Sequence, residues 1–317
     1  MMRRLISMPE TGIICILFFL VIFFQAINSN FLSILNIAGM LRAMAYPGIV
    51  SIGMALCLMA GVIDLSVGAT AGLASIIFAQ ASVHFGLPSL TSAVLAVLTG
   101  LLIGFINGYI ITRLKVTPFI MTICSMFMIR GLASWISNGF TIYPLPIGYS
   151  IFGIAEPLGI SWAFIIMVIL IVVIALFMGQ TVWGLSVRAV GSDKEAAACT
   201  EINVSNIHRS VFVLSGGMAA LAGVMVSLIM NAGVSTIGTG WELIAVTACA
   251  IGGVSLFGYE GSFIGLFCGL LTLQVIQNGI VLIGVNPYSQ NVVVGGILLI
   301  AMVLEIRRRR WLNLESL

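Results

Sequence analysis

Apolar stretches about twenty residues long follow one another from end to end of this chain, and they leave room for little but a membrane fold. A helix needs ~20 mostly apolar residues to cross a hydrocarbon core of ~30 Å. Stretches of this kind fall near 11–27, 37–61, 67–85, 89–111, 117–137, 161–178, 210–230, 241–256, 262–283 and 291–306. Apolar residues make up 61% of the chain and charged residues 7%, too few charges to cover a water-facing surface. The expected fold is an all-α polytopic membrane protein with about ten transmembrane helices. Segment 241–256 is short for a crossing and closes on Gly252-Gly253. A broken or re-entrant helix there, with eight or nine crossings in all, is the alternative. No polar stretch is long enough for a second folded unit, so 1–317 reads as a single transmembrane domain carrying one sizeable loop, 179–208.

Charge sets the orientation. Of the 13 lysines and arginines, all but two fall on one side of this topology: Arg3, Arg4, Arg113, Lys115, Arg188, Lys194, Arg209 and Arg307 to Arg310. The opposite loops, near 28–36, 86–88, 138–160, 231–240 and 284–290, carry none. Positive charge resists translocation, so both termini are expected in the cytoplasm. The N-terminus imitates a signal peptide but has no small-x-small site after Phe24, which favours an uncleaved first span.

The same inventory excludes several classes. The net charge of +3 sits at the cytosolic membrane edge, so it signals topology and not a nucleic-acid surface. Cys15, Cys57, Cys124, Cys199, Cys249 and Cys268 have no C-x-x-C spacing, and His84 and His208 are isolated, so no disulfide framework or metal site is expected. Neither lysine follows a glycine-rich phosphate loop, and no catalytic motif stands out. Any ATP hydrolysis must come from another chain, and no cofactor is expected on this one.

The exceptions to the charge rule are informative. Arg42, Asp64, Arg130 and Glu242 lie within spans, where an ionisable group must face protein or a wet cavity. Counting at 1.5 Å per residue places Arg42, Arg130 and Glu242 within ~10 Å of the outer interface and Asp64 at the opposite, cytoplasmic end. Arg130 is expected either to lock helices, through Glu242 or backbone carbonyls, or, with Arg42 and Glu242, to line an outer vestibule or dock a delivery protein. Met54, Asn107 and Met126 are the candidates for a weakly polar pathway, methionine being adaptable enough for a gate. Gly100 with Gly104, Gly216 with Gly217 and Gly261 with Gly265 let helix backbones approach closely. Two glycine-rich hairpins, 60–73 and 251–266, hold Asp64, Gly68, Gly258 and Gly261. Their likeness hints at duplication.

Loop 179–208 is the most telling polar segment. Gly191 and Ser192 are expected to break it, with Ser192 as N-cap and Asp193 and Glu195 opening a short helix through Ala196 and Ala197. Such a helix suits docking of a cytosolic partner, and a surface helix resting on headgroups is the plainer reading.

At these residues the chain resembles the permease subunits of ribose-type bacterial ABC sugar importers. The likeness rests on VIDLSVG (62–68), TPFIMT with MIRGLA (117–122, 128–133), WGLSVRAVGSDKEAAACTEI (183–202), LSGGMAALAG (214–223), IGGVSLFGYEGSFIG (251–265) and NGIVLIGVNPYSQ (278–290). It departs from the family's pattern at Ala60, at Gly258-Tyr259-Glu260-Gly261 and after Gly191. The resemblance implies a vitamin-B12-importer-like permease fold in the bacterial inner membrane, working by alternating access. It also implies a second permease, ATP-binding cassette ATPase subunits that hold ATP-Mg, and a periplasmic sugar-binding protein. Within it, 191–202 is the ATPase coupling segment, with Arg188, Gly191, Asp193, Glu195, Ala196 and Ala197 carrying the contact. The residues alone leave a secondary carrier with inverted repeats, for a small neutral solute, as the rival.

Overall fold

The computed structural model describes residues 9–146, 159–256, 258–286 and 288–311. Residues 147–158 of the loop expected at 138–160, and Arg3 and Arg4, lie outside the described residues. The described chain is helical almost throughout: α1 Pro9–Ile27, α2 Ile34–Met59, α3 Val67–Val83, α4 Ser89–Leu114, α5 Pro118–Ile136, α6 Trp162–Gln180, α7 Val182–Ser192, α8 Lys194–Cys199, α9 Val204–Met230, α10 Trp241–Ile251, α11 Phe263–Leu282 and α12 Ser289–Trp311. The β pairing among the described residues is one isolated bridge between Ile142 and Gly233. Among the described residues, six helices (α2, α4, α5, α6, α9 and α11) are long and apolar enough to cross a membrane. Four further apolar stretches are shorter: Gly12–Ile27 of α1, α3, α10 and Ser289–Val303 of α12.

Side-chain caps decide where many helices begin. Ser33, Ser161, Thr181, Asn203 and Ser262 each accept a bond from the backbone N–H three residues on, which satisfies a donor the helix cannot. Helices α2 and α3 end and start around a sharp turn in which Gly61 takes φ +72°. There Val62 N–H closes on the Cys57 carbonyl at 3.0 Å. The turn after α10 repeats this geometry, with Gly253 at φ +76° and Val254 N–H on the Cys249 carbonyl at 2.9 Å. Only a residue without Cβ holds that conformation cheaply, so the shared feature of the two hairpins is a left-handed glycine cap.

Helices α2, α3 and α9 form the centre. Within the apolar windows of α2 and α9, 72% of residues are buried, against 28% in α5 and α6, which leave their apolar faces to the surroundings. Helix α9 packs on α2, α3 and α4. Against α4 the contact is backbone to backbone: Gly100, Gly104 and Gly108 face Gly216, Phe212 and Arg209, and a Cβ at any of the three glycines would strike α9 main-chain atoms. Small residues every fourth position thus replace side-chain interdigitation with close approach. On the second side, α10 packs between α2, α11 and α12, with Gly252, Gly265 and Gly269 at its contact with α11.

Candidate functional site

The chain between α2 and α3 is not helical, and it buries an acid. Asp64 is 1% exposed. One carboxylate oxygen accepts from the Ser66 backbone N–H at 3.0 Å and from the Ser66 hydroxyl at 2.6 Å, the other from the Ser215 hydroxyl of α9 at 2.8 Å. Asn107 of α4 donates through Nδ2 to Ser66 Oγ at 3.0 Å. A buried carboxylate is tolerated when its acceptor sites are filled in this way. The network ties α3, α4 and α9 together just below the first turn of α3.

A second non-helical segment reaches the same helix from the other direction. After α9 ends at Met230, capped by Asn231, residues 232–240 run antiparallel along α3. Gly233 lies against Ser75 and Ala79, Ser235 against Gly72, and Gly238 against Gly68. Ser75 Oγ accepts from Val234 N–H at 3.0 Å and from Ser227 Oγ of α9 at 2.7 Å, fixing the segment's start. Arg130 of α5 fixes its middle, with Nη1 donating to the carbonyls of Ser235 at 2.7 Å and Ile237 at 2.8 Å. Of the two locks expected for Arg130, the carbonyl bonds are the ones formed. Glu242 follows, with Oε1 accepting from Gly240 N–H at 3.3 Å and Oε2 buried against Gly68 with no hydrogen bond.

This geometry corrects the expected depths. Glu242 and Asp64 flank the first turn of α3 and do not lie at opposite ends of the bundle. Counting at 1.5 Å per residue assumed a helix from the outer face. The segment is a run of turns, not a helix, and between Gly233 and Gly238 it passes from Ala79 to Gly68 of α3, farther than ~1.5 Å per residue would carry it, so Glu242 lies far deeper.

The other candidates fall in different places. Arg42 is half-buried on α2, one turn before Tyr46. The Tyr46 ring stacks on Trp241 with centroids 6.5 Å apart, next to Glu242. Arg130 and Glu242 therefore lie at the N-terminus of α10, with Arg42 one turn from the Tyr46–Trp241 stack. Met54 is fully buried in the main core and Asn107 in the Asp64 network, while Met126 packs half-buried against a second cluster. The three thus sit in three different packing environments. Ser66, Ser215, Ser75, Ser227 and Tyr46 belong to the same polar frame but escape sequence reasoning, because serine and tyrosine within an apolar run carry no pattern until neighbours are known.

Loop 179–208 is more ordered than its composition suggests. Gly191 and Ser192 do not break it: both complete α7. The cap of α8 is Asp193 and not Ser192, its Oδ1 accepting from Glu195 N–H at 2.8 Å and Ala196 N–H at 3.0 Å. Gly191 has a packing role instead. A Cβ there would collide with the Met59 carbonyl and lie 2.8 Å from the Tyr259 N–H. Gly258, at φ +101°, is pressed against Gly191 from the other hairpin. The end of α7 is thus wedged between the turns after α2 and after α10. Arg188 is half-buried, Ala197 is buried, and Asp193, Glu195 and Ala196 are exposed.

Residues 36–302 match the family described as "Branched-chain amino acid transport system / permease component". The chain belongs to this family. It is 34% identical to the ribose import permease protein RbsC of Bacillus subtilis (strain 168), over 95% of this chain and 94% of that one. To the L-arabinose transport system permease protein AraH of Escherichia coli (strain K12) it is 32% identical, over 87% and 84%. The fructose import permease protein FrcC of Rhizobium meliloti is 31% identical, over 94% and 85%. No solved structure matches the chain. The resemblance drawn from its motifs therefore extends over nearly its whole length, and the protein is a membrane permease component.

Proposed function

We propose that this permease is the membrane subunit of an ATP-driven sugar importer in the bacterial inner membrane, a single domain of ten crossings with both termini cytoplasmic and a vitamin-B12-importer-like fold. Chain reach supports the count. Helix α10 covers only ~16 Å, but the segment before it passes along α3 from Ala79 to Gly68, about another 16 Å of helix rise, so together they suffice to cross. Two permeases enclose the route, ATPase subunits holding ATP-Mg dock below, and a periplasmic sugar-binding protein delivers from above. The named relatives import ribose, arabinose and fructose, which supports a neutral aldose or ketose as substrate.

The observation that carries the coupling half of this reading is the seat of α7 and α8. An exposed, acid-capped helix rests on one buried anchor, Ala197, and joins through Gly191 to the turns that end α2 and α10. A push on α8 is thereby passed to two central helices. Reconstituted with its ATPase and binding protein, the permease is expected to import sugar only with ATP and both partners present. Import by the permease alone would overturn this in favour of a secondary carrier. Glu195→Arg and Ala196→Trp, both on the exposed face, should weaken ATPase docking while leaving the fold intact. Ordinary assembly and transport in both would mean that α8 only rests on headgroups.

Orientation is checked separately. In a cysteine-free background, a cysteine at exposed Lys194 should be shielded from an impermeant thiol reagent in intact cells, and one at exposed Asn138 should react. The reverse labelling would invert the topology.

A further inference from the structure

Where α6 ends, beside α7 and the first turns of α9, an open groove of about 500 Å³ runs past Phe177, Trp183, Arg209, Val213 and Leu214. Its aromatic wall is fixed. The Trp183 indole N–H donates to Ser210 Oγ at 2.8 Å, and its ring centroid lies 5.2 Å from that of Phe177. Arg209 forms the polar edge. Its Nε donates to Thr112 Oγ1 at 2.8 Å, and its guanidinium carbon lies 5.3 Å from the Tyr109 ring centroid. Both partners are neutral, and a guanidinium carries five N–H donors in a fork suited to phosphate oxygens. Arg113, exposed one turn beyond Tyr109 on α4, adds a second positive charge on that side. No carboxylate is among the groove's lining residues; Asp193, Glu195 and Glu201 are exposed at the two ends of α8.

On α7, which supplies Trp183, and at the end of α4, which supplies the Arg209 partners, exposed side chains are apolar where a water-facing loop would be polar. Val182 is 79% exposed, Leu185 64% and Leu114 67%. Exposed aliphatic side chains, an aromatic pair with its polar edge satisfied, and arginines at one end make the layered chemistry of a membrane interface. We propose that this groove holds one anionic phospholipid, its phosphate on Arg209 and an acyl chain along Phe177, Val213 and Leu214. Selectivity for a net negative headgroup follows from the surplus of Arg113, Lys115 and Arg188 over carboxylates along this edge. A lipid seated there braces the α6–α7 corner against α9 and so steadies the mount of α8. This goes beyond the transport reading and does not need it: the groove is tested by binding and not by import.

The full-length permease, stripped of lipid in mild detergent, is titrated with phosphatidylglycerol or phosphatidylcholine and read by native mass spectrometry. The wild type is expected to retain phosphatidylglycerol in preference to phosphatidylcholine. Arg209→Gln should weaken phosphatidylglycerol roughly fivefold, about the contribution of one cation near an anionic lipid, and leave phosphatidylcholine unchanged. Arg209→Lys should keep most of the preference. Because Arg209→Gln also disturbs the Thr112 contact, Leu214→Trp serves as a second variant, filling the groove with Arg209 intact. It should lose one tightly held phosphatidylglycerol. Equal retention of the two lipids by the wild type, or unchanged binding in both Arg209→Gln and Leu214→Trp, overturns the proposal. So does inorganic phosphate competing as well as phosphatidylglycerol, or a preference lost only on neutralising Arg307 to Arg310.

Discussion

Arg130→Met is expected to lower the unfolding stability of the detergent-solubilised permease by about 2–5 kcal/mol. The substitution fills similar space but removes both donors from the carbonyls of Ser235 and Ile237, residues that are 8% and 7% exposed. Each buried carbonyl left without a partner costs ~1–3 kcal/mol. The second variant decides what the arginine is for. If Arg130 chiefly neutralises Glu242, then Arg130→Met with Glu242→Gln should recover most of the loss. The carbonyl bonds predict otherwise: removing the acid relieves an uncompensated charge but leaves the 232–240 segment unheld, so most of the loss persists. Thermal unfolding of the two single variants and the double one reads this out directly. Full recovery in the double variant would make the ion pair, and not the segment, the lock.

Gly191→Val is expected to uncouple the permease while leaving its transmembrane bundle assembled. A Cβ at 191 meets the Met59 carbonyl and the Tyr259 N–H, which are themselves bonded at 3.2 Å. Neither is a flexible side-chain end that could swing away. Relief requires α7 to lift from both turns or the turns to part, at a cost of ~1–3 kcal/mol for such overpacking. If that displacement falls on the docking geometry of α8, ATP-driven import should drop roughly tenfold, the equivalent of ~1.4 kcal/mol. Gly179→Ala is the control, because a Cβ there has nothing within 4 Å. Transport by Gly191→Val equal to that of the control would remove the wedge from the coupling path.

The two expectations draw on different parts of the molecule, and they show what was legible from residues alone. Membrane fold, helix positions and charge asymmetry were readable because each is a one-dimensional property: a run of apolar residues, or a count of cations between runs. The glycine spacing at 100 and 104 was readable as close packing for the same reason, since small residues four apart share a helix face. The partner was not. That Gly100 meets Gly216 while Gly191 meets Met59 depends on contacts between segments far apart in the chain.

The non-helical segments mark the boundary most clearly. Residues 231–240 are rich in glycine, serine and threonine, and a broken element near 241–256 was foreseeable from Gly252-Gly253 and its short length. Its depth was not, because rise per residue changes when a chain leaves the helix, and nothing local says where it leaves or which helix it then follows. Asp64 and Glu242 therefore look remote when counted along helices, yet they flank one turn of α3. Likewise Asp193 and Ser192 are both plausible caps by residue type, and only the continuation of α7 through Ser192 selects the aspartate. Sequence by itself determined that this chain lives in a membrane, which stretches are apolar and to which family it belongs, because those follow from composition, order and spacing. Tertiary structure alone decided which buried polar groups satisfy one another, because in a low-dielectric interior each must find a partner in space and not in sequence.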